Sequence, residues 1–250
     1  MGQQLPVYFD APLINPAPTG LYNVTQWTEE AGPLRWLDAG VQIRSHNIGA
    51  DDAVGVWEPA FNAVDADLSG DDVKTGTRPD DLDPFAPTTV WSFDQGDMTA
   101  ESQVEVRTRA AQNLRMREQY LVETAFGGRL LADANSLGGD LGLLETALAE
   151  AGVVGFIHAG AQVASYAAEH QWLVRTPAGL KSPMGHTWVF GGGYYNSLGW
   201  KLVGTTQPFG WRSEVVVRDT FETKTNTYAA IAERSVVIGV EAAIGYVDLD

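Results

Sequence analysis

The chain has 250 residues, of which 32 are acidic and 16 are basic, so its formal net charge at pH 7 is −16. A charge of this sign argues against binding duplex nucleic acid through a basic face. The absence of cysteine excludes disulfides, thiolate metal sites and a cysteine nucleophile. No apolar run reaches the roughly 20 residues that a membrane-spanning helix needs, and the first residues do not have the pattern of a signal peptide.

Residues 1–40 are predicted to form an extended arm. The first 33 residues contain five prolines and show little hydrophobic periodicity, which is typical of chain without regular structure. A weak helix is predicted between Thr25 and Ala31.

Residues 41–98 are predicted to form a long hairpin with a polar tip. Its strands are expected at Val41–Ile43 and Thr88–Phe93. Between them, residues 51–97 hold eleven Asp and one Glu against one Lys and one Arg. Acidic, proline-bearing segments bury too little apolar surface to order themselves. We therefore expect neighbouring chains to hold both this hairpin and the arm.

The strongest helix prediction runs from Thr99 to Phe126. Thr99 is expected to cap its N-terminus, and Gly127 and Gly128 are expected to end it. Residues at three-to-four spacing predict the buried face: Val104, Ala111, Leu114, Glu118, Leu121 and Ala125. The arginines Arg107, Arg109, Arg115 and Arg117 spread around the helix, which favours salt bridges over a nucleic-acid stripe.

Residues 130–225 are rich in glycine and alternate between helix and strand patterns, which predicts a compact α/β unit. Helices are expected at about 139–151, with Leu141, Leu144 and Leu148 on one face, and at about 159–170. Strands are expected at Val153–Ile157, Trp172–Arg175, Thr187–Phe190, Lys201–Val203 and Glu214–Arg218.

The stretch 227–241 predicts one long strand that is covered on both faces and packs on the long helix. Its apolar residues are nearly unbroken, with Glu233 and Arg234 in the middle. Adjacent strand residues point to opposite faces, so each charge needs a separate partner. We expect Glu118 or Glu123 and the arginines of the long helix to supply those partners.

No pattern in the chain predicts a catalytic, cofactor-binding or metal site. The four histidines, His46, His158, His170 and His186, are widely spaced, and the second and third are predicted to flank one helix. Gly191-Gly192-Gly193 lacks the Gly-Lys-Ser/Thr ending of a phosphate loop, and no helix is predicted after it. There is no Gly-x-Ser-x-Gly elbow, and the carboxylates cluster in a solvated loop that would not raise their pKa by burial.

Residues Asp65–Asp71 match the first seven positions of an EF-hand loop, including its glycine. Position twelve is Gly76 and not a bidentate Glu, so we interpret the segment as a solvated loop tip, with a weak calcium site as the alternative. Trp27, Trp36, Trp57 and Trp91 lie in segments with little core of their own. We interpret them as interface anchors, with a carbohydrate-binding platform as the competing explanation.

The order of these parts resembles the major capsid proteins of tailed phages, which have the Hong Kong 97 fold. Three stretches resemble those from phages of actinobacteria: Gly155–Ala159, Ser182–Tyr194, and Thr225–Thr227 leading into Ala232–Arg234. The resemblance implies an α+β fold with four parts. These are an N-arm at 1–40, an extended E-loop at 41–98, a peripheral domain with a spine helix at 99–134 and 222–250, and an axial domain at 135–221.

The resemblance also implies a non-enzymatic protein of the virion, made in the host cytoplasm, that assembles into hexamers and pentamers of an icosahedral head. Such a head encloses double-stranded DNA without reading its sequence, and portal, scaffolding and decoration proteins would be further partners. Covalent crosslinking is not expected, since the hairpin offers only Lys74 and Asn62 for a Lys–Asn bond. An encapsulin-like nanocompartment shell is the alternative within the fold. A tryptophan-rich carbohydrate-binding or hydrolytic domain is the alternative outside it.

Overall fold

The structure is a computed structural model that describes residues 9–30, 33–49 and 53–250. These residues form six α-helices and eleven β-strands. The helices are α1 Leu21–Val24, α2 Trp36–Ala39, α3 Ala100–Asp133, α4 Leu141–Glu150, α5 Val163–Glu169 and α6 Tyr194–Leu198. The strands are β1 Gln26–Trp27, β2 Thr88–Asp97, β3 Phe156–Gly160, β4 Val174–Thr176, β5 Gly179–Lys181, β6 Thr187–Gly191, β7 Lys201–Thr205, β8 Phe209–Arg212, β9 Val216–Glu222, β10 Thr227–Gly239 and β11 Ala243–Asp248.

The first of two sheets has β10 at its centre. On one side β10 pairs antiparallel with β2, and on the other side it pairs first with β9 and then with β8. Strand β1 adds to β8 in parallel. Helix α3 packs across one face of this sheet, and its 34 residues make it about 50 Å long. One continuous hydrophobic core lies between the helix and the sheet.

The second sheet has the order β11-β7-β3-β6-β5-β4 and lies beside a core of its own. The predicted helix at 139–151 is confirmed as α4, which begins after the N-cap Asp140, and its three leucines are buried against this sheet. The chain passes between the two sheets. After β7 of the second sheet it continues into β8 and β9, which pair with β10 in the first sheet, and after β10 it returns to the second sheet as β11, which pairs with β7.

The predicted long strand at 227–241 is confirmed as β10. The prediction that both of its faces are covered is wrong for the first half of the strand. Tyr228, Ala230 and Ala232 are buried on the face that meets α3, whereas Ile231 on the opposite face is 39% exposed. The reason is that β2 and β9 cover only the edges of β10, and no layer of the described chain covers the second face there. From Val236 to Val240 every residue is buried, as predicted.

Helix α3 begins where it was predicted and continues beyond its predicted end. Thr99 caps it, and its Oγ1 accepts from the backbone N–H of Ser102 at 3.3 Å. Gly127 and Gly128 do not end the helix, which continues to Asp133. A Cβ at Gly127 would lie 2.2 Å from Ser197 Oγ, so this glycine serves close packing against α6 and not a turn.

The predicted buried face of α3 is only partly correct. Leu114 and Glu118 are buried, but Val104 is 67% exposed, and Leu121 and Ala125 are exposed as well. Contacts with the first sheet and with α6 bury a wide arc of the helix, which a single narrow stripe does not represent. The buried residues are Val106, Ala110, Leu114, Glu118, Val122, Glu123, Phe126, Gly127 and Leu130.

Two predictions near the N-terminus are wrong. The chain is helical at Leu21–Val24 and not over 25–30, because β8 offers a parallel edge with which Gln26 and Trp27 pair; Ala31 of the prediction lies outside the described residues. The predicted strand at 41–43 is reduced to one bridge between Val41 and Phe85. Beyond that bridge side-chain hydrogen bonds and no backbone ladder join the described parts of the two segments, so only the returning strand β2 of the predicted hairpin is formed.

Several bounds in the middle of the chain also differ from prediction. The helix predicted from Ala159 starts at Val163, because residues up to Gly160 complete β3 between two neighbouring strands. A helix that was not predicted, α6, follows the glycine triplet. The strands β5, β8 and β11 were also not predicted; they are short or glycine-bearing and are fixed by their sheet partners.

Candidate assembly surfaces

The long acidic loop, residues 53–84, extends from the body with little cover from its own chain. Its regular structure consists of two 3-10 turns, Asp65–Asp67 and Gly70–Asp72. Apolar side chains lie open in it, with Val56 91% exposed. Trp57 is half-buried, but only within the loop: its Nε1 donates to the Asp72 carbonyl at 3.2 Å, and Lys74 Nζ lies 4.3 Å from its ring centroid.

Carboxylates at the loop tip bind their own backbone. Asp67 accepts from the Val64 N–H at 3.0 Å, and Asp72 accepts from the Ser69 N–H at 2.6 Å. Each therefore caps a 3-10 turn. Within the described side chains no group of three acidic or histidine residues could hold a metal ion. The side chain of Asp71 lies outside that description, so the calcium alternative stays a prediction.

The arm segment 9–20 lies along α3, attached by few hydrogen bonds. Gln112 Nε2 donates to the Ile14 carbonyl at 2.7 Å, Arg115 donates to the side chain of Asn15, and Gln119 Nε2 donates to the Thr19 carbonyl at 2.6 Å. Between these bonds the segment is exposed, including Phe9, Leu13 and Ile14. Residues 1–8 of the predicted arm lie outside the described residues.

The face of the first sheet opposite α3 is open and partly apolar; we call it the outer face. It presents Trp91 and Phe93 of β2, Ile231 of β10 and Val216 of β9. Trp91 is 61% exposed, so it fits the predicted interface anchor. The outer face also carries the ion pair between Arg218 and Glu233, at 2.7 Å.

The other tryptophans of the prediction are placed differently. Trp36 is wrong as an anchor, because it is buried in the first core. Trp27 is half-buried beside that core, with its ring edge-on to Tyr22 at 4.9 Å and the Arg212 guanidinium 4.5 Å from its ring centroid. Of the four, Trp91 is the one that stands free on a sheet.

The two charges in the middle of β10 find separate partners, as predicted. Arg234 faces α3, where its Nη1 lies 3.4 Å from Glu118 Oε1, and both side chains are largely buried. Tyr22 donates to the same carboxylate at 2.8 Å. Burial raises the pKa of the Tyr22 phenol well above its usual value, and the charge of Glu118 adds to this. Glu233 pairs with Arg218 of β9 and not with an arginine of α3.

Glu123 is a buried carboxylate that joins three parts of the chain. It accepts from the backbone N–H of Leu21 at 3.0 Å, from Gln119 Nε2 at 2.8 Å and from the backbone N–H of Gly193 at 3.0 Å. A Cβ at Gly193 would lie 2.1 Å from the Tyr120 carbonyl oxygen, so only glycine fits there. The triplet 191–193 is thus a packing contact with α3.

Two of the four histidines, His158 and His186, are buried, and the predicted placement of the first is wrong. His158 lies on β3 and not at the start of a helix shared with His170. It is fully buried and exchanges hydrogen bonds with Tyr194 Oη at 2.8 Å and Thr205 Oγ1 at 2.9 Å. Burial lowers the pKa of His158 to about 3, so the ring is neutral at physiological pH. His186 is also buried and accepts from the Gly155 N–H at 3.1 Å.

Two arginines of α3 form the salt bridges that were predicted for them. Arg107 pairs with Asp219 of β9, and Arg109 Nε lies 3.1 Å from Asp94 of β2. Arg117 instead stacks on Tyr120, 4.3 Å from the ring centroid.

No helix of the described chain is long and apolar enough to cross a membrane.

No protein-family model matches the chain, and no curated protein matches it. Solved structures match it over almost its whole length. The capsid of the native GTA particle aligns with a TM-score of 0.56 at 9% identity, covering 99% of this chain and 94% of that chain. The capsid of Ralstonia phage GP4 aligns with a TM-score of 0.52 at 10% identity, covering 98% and 94%. A structure from Microbacterium phage Oxtober96 also gives 0.52 at 10% identity, covering 98% and 91%.

The chain has the fold of tailed-phage capsid proteins. The predicted α+β fold of the Hong Kong 97 type is therefore confirmed. At identities near 10% the likeness concerns the path of the chain and not its individual side chains.

Proposed function

We propose that this chain is the structural major capsid protein of a tailed phage. It assembles into hexamers and pentamers of an icosahedral head that encloses double-stranded DNA, and it is not an enzyme. The observation that carries this proposal is the match along nearly the whole chain to the capsids of the GTA particle and of Ralstonia phage GP4. The match to a Microbacterium phage structure supports a host among the actinobacteria.

The proposed division of labour follows the predicted bounds. Residues 1–40 are the N-arm, 41–98 the E-loop, 99–134 with 222–250 the peripheral domain, and 135–221 the axial domain. Most of the first core, beneath α3, would belong to the peripheral part, with Val189, Tyr194, Leu198 and Val203 added from the axial part, and most of the second core would belong to the axial part. The exchange of β8, β9 and β11 between the sheets ties these two parts together.

Neighbouring copies of the chain are the proposed cover for the open surfaces. Residues 9–20 and 53–84 leave most of their apolar side chains in water, and the outer face does the same. Apolar surface of this extent on a folded chain marks an interaction site. Their arrangement fits a shell in which each loop and arm lies on the next subunit, where apolar contacts and rim charges join the copies.

The net charge of −16 fits a container for DNA better than a reader of DNA. The acidic shell would repel the phosphates and hold the DNA by enclosure. In this proposal the protein has portal, scaffolding and decoration proteins as further partners. It is synthesised in the host cytoplasm and becomes part of the virion.

The purified chain should be measured by light scattering and analytical centrifugation. A shell gives particles hundreds of ångströms across, whereas a folded monomer of this length has a radius of gyration of about 18 Å. The informative variant is Trp91→Glu, which places a charge on the outer face and should leave folded, unassembled protein. Val104→Glu, at an exposed apolar position on α3, is the matched control and should still assemble. A monomer in the unaltered protein contradicts the proposal.

A further inference from the structure

The long acidic loop is joined to the body by two anchors of different kinds. Its outgoing base, Ser45–Asn47, is held by Glu241, and its returning base, Asp81–Phe85, is held by Arg129. The two bases also hold each other, since the Ser45 N–H donates to Asp81 Oδ1 at 2.8 Å.

Glu241 receives hydrogen bonds from the outgoing base at both carboxylate oxygens. Oε1 accepts from the backbone N–H groups of His46 at 2.5 Å and Asn47 at 2.6 Å, and from Ser45 Oγ at 3.2 Å. Oε2 accepts from Asn47 Nδ2 at 2.8 Å. Within the described part of the chain, no cationic side chain pairs with Glu241. Neutral donors alone hold this carboxylate.

The position of Glu241 is fixed from the body side. It lies in the short crossover between β10 in the first sheet and β11 in the second. Thr206 Oγ1 accepts from the backbone N–H groups of Glu241 and Ala242, both at 3.1 Å, and the Thr206 N–H donates back to the Ala242 carbonyl at 3.1 Å. The outgoing base of the loop is therefore tied to the point where the two sheets meet.

Arg129 holds the returning base by contacts that do not depend on Glu241. Its Nη2 donates to the Asp83 carbonyl at 2.7 Å and its Nη1 to the Pro84 carbonyl at 3.2 Å. Its Nε lies 2.6 Å from Asp133, and the guanidinium stacks on Phe85 at 4.5 Å from the ring centroid. An arginine stays charged at any pH at which the protein is folded.

We propose that Glu241 is a releasable latch and Arg129 a permanent anchor for the long loop. With the latch closed, both bases are fixed and the loop has one angle to the body. With the latch open, residues 45–49 separate from the crossover and the loop turns about the Arg129 anchor. This device belongs to the single chain, so it does not depend on the shell proposal.

Protonation is the change that would open the latch. A carboxylate accepts at both oxygens, whereas the protonated group gives up one acceptor site and gains a donor. Burial acts to raise the pKa of Glu241, but the bonds from Asn47, His46 and Ser45 outweigh it and hold the pKa below its usual value. The other titratable groups at this site are Asp81 on the returning base and the His46 side chain on the outgoing base.

Amide hydrogen exchange on the full-length chain tests the latch. In Glu241→Ala, protection of the His46 and Asn47 amides should fall at least tenfold, while the amides of β10 keep theirs. In Glu241→Gln the loss should be smaller, because one oxygen acceptor remains. Glu233→Gln is the matched control on the preceding strand and should change neither amide. Unchanged protection in Glu241→Ala overturns the proposal. If that variant does not fold, Glu241→Gln takes its place, and unchanged protection of both the His46 and Asn47 amides in it overturns the proposal equally.

The rotation of the loop about the Arg129 anchor can be tested separately by spin labelling. Because the chain has no natural cysteine, labels attach only at introduced cysteines. Spin labels at Ala66→Cys and Thr108→Cys report the distance from the loop tip to α3. The distance distribution should be narrow in the unaltered background and should shift or broaden in Glu241→Ala. Acidification should shift the distribution of the unaltered background toward that of Glu241→Gln, which carries a neutral group with one oxygen acceptor at every pH. One distribution shared by all variants and pH values contradicts the pivot.

Discussion

Arg234 of β10 and Glu118 of α3 form a largely buried ion pair, with Nη1 and Oε1 3.4 Å apart. The pair joins the longest strand to the middle of the longest helix. Replacing Arg234 by Ala leaves Glu118 buried with Tyr22 as its remaining donor. We expect a loss of about 3 kcal/mol in unfolding free energy, near the lower end for a broken buried pair because Tyr22 stays.

Chemical denaturation of Arg234→Ala measures that loss. Arg218→Ala removes the exposed pair with Glu233 on the opposite face of β10, and should cost less than about 1 kcal/mol. Equal stability of both variants and of the unaltered protein would refute the role given to the buried pair.

Gly193 can be tested for close packing, with the neighbouring Gly192 as the matched control. A Cβ at Gly193 would meet the Tyr120 carbonyl oxygen at 2.1 Å, whereas a Cβ at Gly192 would find its nearest atom at 3.5 Å. Neither backbone has a positive φ, so the difference is contact alone. Gly193→Ala should destabilise the chain by about 3 kcal/mol, as for severe overpacking. Gly192→Ala should be nearly neutral; similar thermal shifts for the two would contradict the close packing on α3.

His158 makes the stability of the fold depend on pH. Its folded pKa of about 3 lies below the usual value of 6.5, so the unfolded chain binds the proton more tightly. The stability from the neutral ring is therefore fully present above pH 6.5 and is lost as the pH falls toward 3. The loss should be about 1.4 kcal/mol per pH unit in that window. His158→Gln should remove this slope between pH 6.5 and 4.5, and an unchanged slope would count against it.

Assembly should respond to salt and divalent ions through the acidic segment 51–97. Its twelve carboxylates repeat in every copy, and exposed charges are screened over about 8–10 Å at physiological salt. Each contact is worth about 1 kcal/mol or less. Removing salt and divalent ions should lower the melting temperature of the particle. Replacing Asp65, Asp67 and Asp71 by Asn should abolish that response, and a melting temperature indifferent to chelator and salt leaves the loop merely solvated.

The sequence was sufficient for elements whose own residues determine them. Thr99 predicted the start of α3, and the spacing of Leu141, Leu144 and Leu148 predicted α4 and its buried face. Strand geometry alone predicted that Glu233 and Arg234 would have separate partners on opposite faces.

The sequence was misleading where distant contacts decide. Gly127 has the form of a helix end, but Ser197 and Tyr194 of α6 pack against it, and nothing near it in sequence indicates this. Gln26 and Trp27 became a strand because β8 lies beside them. Glu241 comes directly after an apolar strand, and nothing in the sequence indicates that it binds residues 45–47, some 195 positions earlier. Such pairings depend on the tertiary fold, which local propensity does not contain.

Imaging the purified protein by electron cryomicroscopy tests the central claim most directly. We expect closed icosahedral particles built of hexamers and pentamers, in which residues 9–20, residues 53–84 and Trp91 are covered by neighbouring subunits. Monodisperse single chains, or a shell in which these segments pack only on their own subunit, would contradict it.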